Sequence, residues 1–288
     1  MMEDFADKIA VITGAGSGIG RGIARHIHAA GGVVIVADID ADAAKAVADA
    51  LGARAHAAHL DVREFDGFAA LADEIYATHG RVDILVNNAG VGGGAPVFKT
   101  DFETLDWILD VNLKSVFRAC FTFGARMAAQ DTPATICNVA SEHALGFPHA
   151  GSAGYTAAKH GVLAMSDVLR HEAPDTLTVC VACPGMTATG LPANSARHNP
   201  GKPLSPERRA ASEAMMARGL DADVVGRLIC EGILRGDFII PTHPHAVKFA
   251  EKRWRDIAEA FEAHAPYTPE SENMNVAKLI AAARGERK

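Results

Sequence analysis

The chain has 288 residues, of which 49% are hydrophobic and 22% charged, with a mean hydropathy of +0.07. That composition supplies a large buried core and excludes a disordered chain, at a length where α/β folds often remain one domain. A formal net charge of -7 and a pI near 6.0 exclude nucleic acid as the main partner, because neutralising phosphates needs a basic face, and leave a small molecule as the expected one.

The opening "MMEDFADKIA" is acidic where a secretory signal would be basic, and no apolar run reaches the length of about 18 residues that a membrane span needs. A cytoplasmic protein without a membrane partner is expected. Residues 8–13 form a short β-branched run, a glycine-rich loop follows, and residues 19–32 have helical spacing ending in a glycine pair. Residues 33–38 are again continuously apolar, and 40–51 read as an alanine-rich helix. The alternation goes on with a strand at 54–62, a helix at 64–80, a strand at 82–90, a long helical region at about 102–130 and a strand at 134–141. A helix over 154–173, a strand at 177–185, an irregular stretch at 186–205, further helices and a last strand at 237–242 complete it.

Seven apolar strands alternating with helices predict a parallel sheet covered on both faces, a doubly wound Rossmann fold of class α/β with its ligand at the carboxyl ends of the strands. One domain is expected, with a core at about 8–242, a substrate lid at about 189–217 and a C-terminal helical extension at about 243–288. In that extension Val247, Trp254, Ile257 and Phe261 form a helical apolar set, suited to packing on the core or on a neighbouring subunit. The five cysteines are odd in number and scattered, as reduced intracellular thiols are. Cys180 and Cys183 form a C-x-x-C within a strand, where packing explains them better than redox chemistry.

The stretch "VITGAGSGIG" lies between the first strand and the first helix, and Asp38 ends the second strand eighteen positions after Gly20. Glycines in such a place permit a tight turn and close approach of a pyrophosphate to the helix N-terminus. The spacing is Gly14-x-x-x-Gly18-x-Gly20 and no Lys-Ser/Thr follows, which argues against a nucleoside triphosphate. A carboxylate at Asp38 suits the ribose hydroxyls of NAD and repels the 2′-phosphate of NADP, and Ile39 brings no compensating charge. The alternative is that Asp38 only caps the next helix, with Arg21 free to meet a phosphate. Tyr155 and Lys159 stand four apart on one helix, so an ammonium lies within reach of a phenol whose ordinary pKa of about 10 is too high for a base near neutrality. Ser141 at the end of the fifth strand and Asn112 in the long helical region join them in plausible order; taken singly, Ser141 is equally a turn cap and Asn112 a buried helix residue.

With "TGAGSGIG", "NNAG", "YTAAK" and "PGMTAT" on the page, the chain resembles the short-chain dehydrogenase/reductase family over about residues 8–240. The resemblance implies an oxidoreductase moving a hydride between NAD(H) and a secondary alcohol or ketone. It implies that Ser141 orients the carbonyl, Tyr155 is the general acid/base, Lys159 holds the nicotinamide ribose and tunes Tyr155, and Asn112 holds a relay water. It assigns Gly14, Ser17, Gly18, Ile19 and Gly20 to the pyrophosphate loop, Asp38 and Ile39 to the adenosine ribose, and Asp61 and Val62 to the adenine. Asn88, Ala89 and Gly90 would line the cofactor, with Pro184, Gly185, Thr187 and Thr189 toward the nicotinamide amide and phosphates. It also implies a homodimer or homotetramer paired through helices at about 102–130 and 152–173.

Two departures stand out: Ser141 precedes Tyr155 by fourteen positions, and Thr187 replaces an aliphatic residue. Residues 142–154 and the lid are expected to finish the pocket, and Leu145, Phe147, Leu191, Met215 and Met216 suggest an apolar or aromatic substrate. His143 and His149 offer contacts to a polar substrate group, whereas His243 and His245 lack a convincing third metal ligand. No metal is expected. An NAD-binding redox sensor without turnover, and an epimerase or dehydratase retaining NAD, are the alternative functions.

Overall fold

The apolar runs pair into a single sheet. In the computed structural model, which describes residues 3–147, 149–201 and 205–283, the strands are β1 (Ile9–Thr13), β2 (Val33–Asp38), β3 (Ala55–His59), β4 (Ile84–Asn87), β5 (Ala134–Val139), β6 (Leu177–Cys183) and β7 (Ile239–Pro241). They lie in the order β3-β2-β1-β4-β5-β6-β7 and every pairing is parallel. Side chains along a strand point alternately to the two faces, and both faces are covered, which is why the runs carry no polar alternation. Ala10, Ile12, Val34 and Val36 pack with Ile23 and Ile27 of α1 (Gly18–Ala29) and with Ile229 and Ile233 of the helix Ala222–Arg235. Ile9, Val11, Ile35 and Leu85 face the other way, against Phe68 of the helix Phe65–His79 and against Ile108 and Phe123. The strand β3 is the exception: on the sheet edge its AHAAH sequence is half exposed, with no fully buried position. The strand order reverses between β1 and β4, and a crevice opens outside the carboxyl ends of the strands there.

Two predicted strands end early for a common reason. Residues 88–90 and 184–185 leave the ladder because side chains take their backbone N–H groups: Asn88 N donates to Thr13 Oγ1 and Gly185 N to His243 Nδ1, both at 3.0 Å. The helical region predicted at about 102–130 forms over 102–128 but is interrupted by two π-helical turns, Asp110–Lys114 and Cys120–Gly124. In the first, Asn112 Nδ2 donates to Ile108 O at 2.9 Å, four residues back, and takes the acceptor that a regular helical N–H would use.

The first helix must sit close to the helix Ala222–Arg235 if its N-terminus is to face the crevice, and two glycines make this possible. A Cβ on Gly226 would lie 2.6 Å from the Gly22 carbonyl carbon, and one on Gly22 would lie 2.6 Å from Ala222 O. Gly226→Ala is therefore expected to lower stability by about 1–3 kcal/mol, as overpacked contacts do, and urea unfolding should show a reduced midpoint with an unchanged slope.

The chain divides into two compact units, residues 1–246 and 247–288. The second contains the helices Val247–His264 and Val276–Ala283, joined through the 3-10 turn Pro269–Met274, which Thr268 and Ser271 cap reciprocally. The expected lid contributes the helices Leu191–His198 and Pro206–Met216; residues 202–204 of it lie outside the described residues, as do 148 of the segment 142–154 and 284–288 of the extension. Among the described residues no helix is long and apolar enough to cross a membrane.

Candidate active site

The glycine loop is shaped by what surrounds it. Thr13, at the end of β1, accepts the N–H groups of Asn88 and Ala89 on its hydroxyl, both at 3.0 Å, and Asn88 Nδ2 donates in turn to the carbonyls of Thr13 and Gly14. The loops after β1 and β4 are thus stitched together across the switch point. Gly14 has φ +64°, and a Cβ there would stand 2.8 Å from Ala89 Cα; a Cβ on Gly20 would stand 2.5 Å from both Asn88 Nδ2 and Gly14 O. Ser17 precedes α1 without capping it through its side chain, so the first-turn N–H groups and the positive helix end remain for an anion in the crevice. This cradle fits a dinucleotide pyrophosphate.

Asp38 closes the far side. Its Oδ2 accepts from Gly16 N at 2.9 Å and its Oδ1 from Asp40 N at 3.0 Å, which fixes the carboxylate at the rim of the crevice. The helix cap is not Asp38 but Asp40, whose carboxylate accepts from Ala43 N. The carboxylate of Asp61 is committed to a neighbour: Arg63 holds it at 2.5 Å, and although burial pushes its pKa up, the Arg63 hydrogen bonds and charge leave it lowered. The helix Leu191–His198 spans the mouth. Arg197 donates to Asp40 Oδ2 at 2.9 Å, Asn194 to Ser17 Oγ at 3.4 Å, and Ser195 Oγ accepts from Gly92 N at 2.8 Å.

The reactive groups gather at the opposite end. Tyr155 stands in the first turn of the helix Ala153–Glu172 with Lys159 one turn later, its Nζ 5.7 Å from the Tyr155 ring centre. Lys159 donates to Val139 O, the last residue of β5, at 2.8 Å. Burial lowers its pKa to about 8. Burial likewise raises the Tyr155 phenol above its ordinary value, with contact from the Ser141 hydroxyl opposing this and the Glu142 charge reinforcing it. Here the structure departs from expectation, because in the free protein desolvation outweighs any pull of Lys159 toward phenolate. Ser141 does two things: besides meeting Tyr155, its Oγ accepts His143 N at 3.3 Å and caps the 3-10 turn Glu142–Leu145. Both donors of Asn112 are spent, on Val91 O and Ile108 O, and its Oδ1 accepts Val91 N, so it pins the turn after β4. A Cβ on Gly90 would lie 3.0 Å from that Oδ1, which explains the glycine.

The predicted residues converge on one cleft. It is lined by every one of them except Gly20, Ser141, Gly185 and Thr187. Ser141 reaches it through Tyr155; Thr187 is buried and donates to Gly185 O at 3.0 Å. His143 is buried with Nδ1 2.8 Å from the Thr156 hydroxyl and its ring edge-on to Tyr155, and burial lowers its pKa to about 4, so it is a neutral wall. The sequence reading missed Thr13, Arg63, Trp107 and Arg197. Only Thr13 carried a signal, as the first residue of the glycine motif; the others depend on distant neighbours. Among the described residues no cluster of His, Cys, Asp or Glu is placed to hold a metal ion.

Comparison with known proteins shows the family of the chain. The chain is 32% identical over 97% of its length, and 94% of the relative's, to the C alpha-dehydrogenase of Sphingobium sp. strain NBRC 103272 / SYK-6. It is 35% identical to the cis-4-hydroxycyclohexanecarboxylate dehydrogenase of Sinomonas cyclohexanicum, over 80% of this chain and 96% of that protein. A crystal structure of a short-chain dehydrogenase/reductase from Burkholderia phymatum in complex with NAD superposes with a TM-score of 0.84 at 30% identity, covering 93% of this chain and 99% of the other. The relatives are dehydrogenases and the structural neighbour holds a nicotinamide cofactor. The family model for short chain dehydrogenases matches residues 8–200, and the chain belongs to that family.

Proposed function

We propose that the protein is a cytoplasmic NAD-dependent dehydrogenase of a secondary alcohol, or reductase of the corresponding ketone, with an apolar or aromatic substrate. The observation that carries the reading is the convergence of Tyr155, Lys159 and Asn112 with the glycine cradle and Asp38 on one cleft, with Ser141 against Tyr155. Gly14, Gly18, the N-terminus of α1, Asp38 and Gly90 would hold NAD, which when bound supplies the hydride acceptor or donor. Ser141 orients the substrate oxygen, and Tyr155 takes its proton during oxidation or returns it during reduction. Lys159 presents a cation beside the ribose and the phenol, while Asn112 keeps the turn after β4 in place.

The apolar side of the cleft, Val91, Trp107, Val111 and Leu191, supports an apolar substrate, and the name of the hydroxycyclohexanecarboxylate dehydrogenase relative supports a hydroxyl-bearing one. A homodimer or homotetramer is part of the proposal, supported by Phe65, Phe117 and Phe121, which leave large apolar surfaces exposed beside one another.

The test is absorbance at the NADH band with purified protein, NAD or NADP, and a panel of aryl, cyclic and aliphatic secondary alcohols. Turnover with NAD and an aryl or cyclic alcohol is expected. Binding of NAD without turnover across the panel would favour the sensor reading, and bound NAD without accumulation of NADH during substrate conversion would favour an epimerase or dehydratase. In the same assay Asp38→Ala should lower the preference for NAD over NADP by about tenfold or more, since the carboxylate accounts for both the attraction of hydroxyls and the repulsion of a phosphate.

A further inference from the structure

The stretch from Pro184 to Thr189 runs from the end of β6 to the mouth of the cleft, and Pro184 and Thr189 both line it. It has no partner strand of its own over Pro184–Met186, yet its backbone polar groups are paired. Glu142 N donates to Pro184 O at 2.9 Å. The rest is done largely by one ring. His243, buried just past the end of β7, accepts Gly185 N on Nδ1 at 3.0 Å and places Nε2 2.9 Å from Met186 O. Both backbone partners of the ring are unambiguous in kind: the Gly185 amide can only donate and the Met186 carbonyl can only accept, so Nδ1 is bare and Nε2 carries the proton. The Thr242 hydroxyl lies 2.9 Å from Nδ1. Met186 O also accepts Leu220 N at 2.9 Å, which ties the turn to the short strand pair of Thr187–Ala188 with Leu220–Asp221.

The packing is as specific as the hydrogen bonding. A Cβ on Gly185 would stand 2.7 Å from His243 Cγ and 2.6 Å from Glu142 Oε2, so ring, carboxylate and turn occupy adjoining space with no room for a side chain. The groups beside the ring are Glu142, which follows Ser141, and His245, whose Nε2 lies 2.9 Å from Glu142 Oε2 and whose ring is 5.7 Å from that of His243.

We propose that His243 is a positioning residue for the cofactor: its neutral, Nε2-protonated imidazole holds the Pro184–Met186 turn, and through it the Thr189 end of the stretch, in the form that binds the nicotinamide half of the dinucleotide. The inference rests on the reading of the cleft as a nicotinamide site.

The test is NADH binding to the full-length protein at neutral pH, followed by fluorescence. It is run on wild type, His243→Phe, which keeps ring volume without hydrogen bonds, and His243→Asn, which keeps an acceptor at the δ position but has no donor for Met186 O. The expected result is a Kd raised about tenfold or more for His243→Phe, the scale of a buried donor left unpaired, with kcat at saturating NAD changed less than about threefold. His243→Asn should recover part of the affinity, with a Kd between those of wild type and His243→Phe. Where His243→Phe does not fold, His243→Asn decides alone, with a Kd expected at least about threefold above wild type. Wild-type binding of NADH with a His243→Phe Kd within twofold of wild type, with a His243→Asn Kd no lower than that of His243→Phe, or, where His243→Phe does not fold, with a His243→Asn Kd within twofold of wild type, would overturn the role of His243. Failure of wild type to bind NADH would overturn instead the nicotinamide reading of the cleft.

Discussion

Tyr155→Phe is expected to lower kcat/KM by about a thousandfold, within the range of a lost general acid/base, while leaving NAD affinity near that of wild type. The change removes one oxygen from a half-buried ring in the first turn of a helix and leaves the packing against His143 intact, so the fold should not register it. The pH dependence follows from the direction in which the phenol is perturbed. Burial holds Tyr155 above its ordinary pKa, so near neutrality the free protein carries it as a phenol, the form that donates a proton to a ketone. Alcohol oxidation needs the phenolate, whose fraction grows as pH rises. Oxidation by wild type should therefore accelerate with pH, whereas the residual oxidation by Tyr155→Phe should not follow that curve. A wild-type kcat, or a wild-type pH profile, retained in Tyr155→Phe would remove Tyr155 from the chemistry.

Lys159→Met separates function from stability. Activity should fall at least a hundredfold, because the cation beside the phenol and the proposed ribose site is gone, whereas the melting temperature at pH 7 should rise by a few degrees. The reason is desolvation. A buried lysine whose pKa is lowered from 10.5 to about 8 is protonated at neutrality in both states, and the folded state bears a penalty of about 3 kcal/mol for that charge. Between pH 8 and 10.5 the unfolded chain keeps the proton that the folded one has released, so wild-type stability gains with pH there. The advantage of methionine is thus largest below pH 8 and shrinks above it. Part of it is offset throughout, since Val139 O loses its donor at about 1–3 kcal/mol. Thermal melts at pH 7 and pH 9.5 measure the difference; a Lys159→Met protein less stable than wild type at pH 7 would mean that the ammonium is stabilised by its surroundings after all.

Much of the fold was legible because it rests on patterns that are local in the chain. Short apolar runs without polar alternation, bounded by turn residues, suit strands covered on both sides, and their alternation with helices points to parallel crossovers. The glycine loop before α1 and the carboxylate after β2 then fall at the switch point of the sheet by topology alone. The pair Tyr155 and Lys159 was legible for the same reason, a separation of one helical turn. By itself, then, the sequence determined the sheet, the cleft and the groups that meet in it.

What only the tertiary structure decided is how each polar group is spent. Asn112 uses both donors on the backbone, Asp61 is taken by Arg63, Arg197 crosses the cleft to Asp40, and His243 clamps a turn fifty-eight residues before it. A side chain's hydrogen-bonding capacity is a property of its residue type, but its partner is set by which distant segments the sheet and its crossovers bring within 3 Å, and no periodicity in the chain encodes that. The same holds for the pKa values of Tyr155 and Lys159, which depend on how completely the assembled helices exclude water from them.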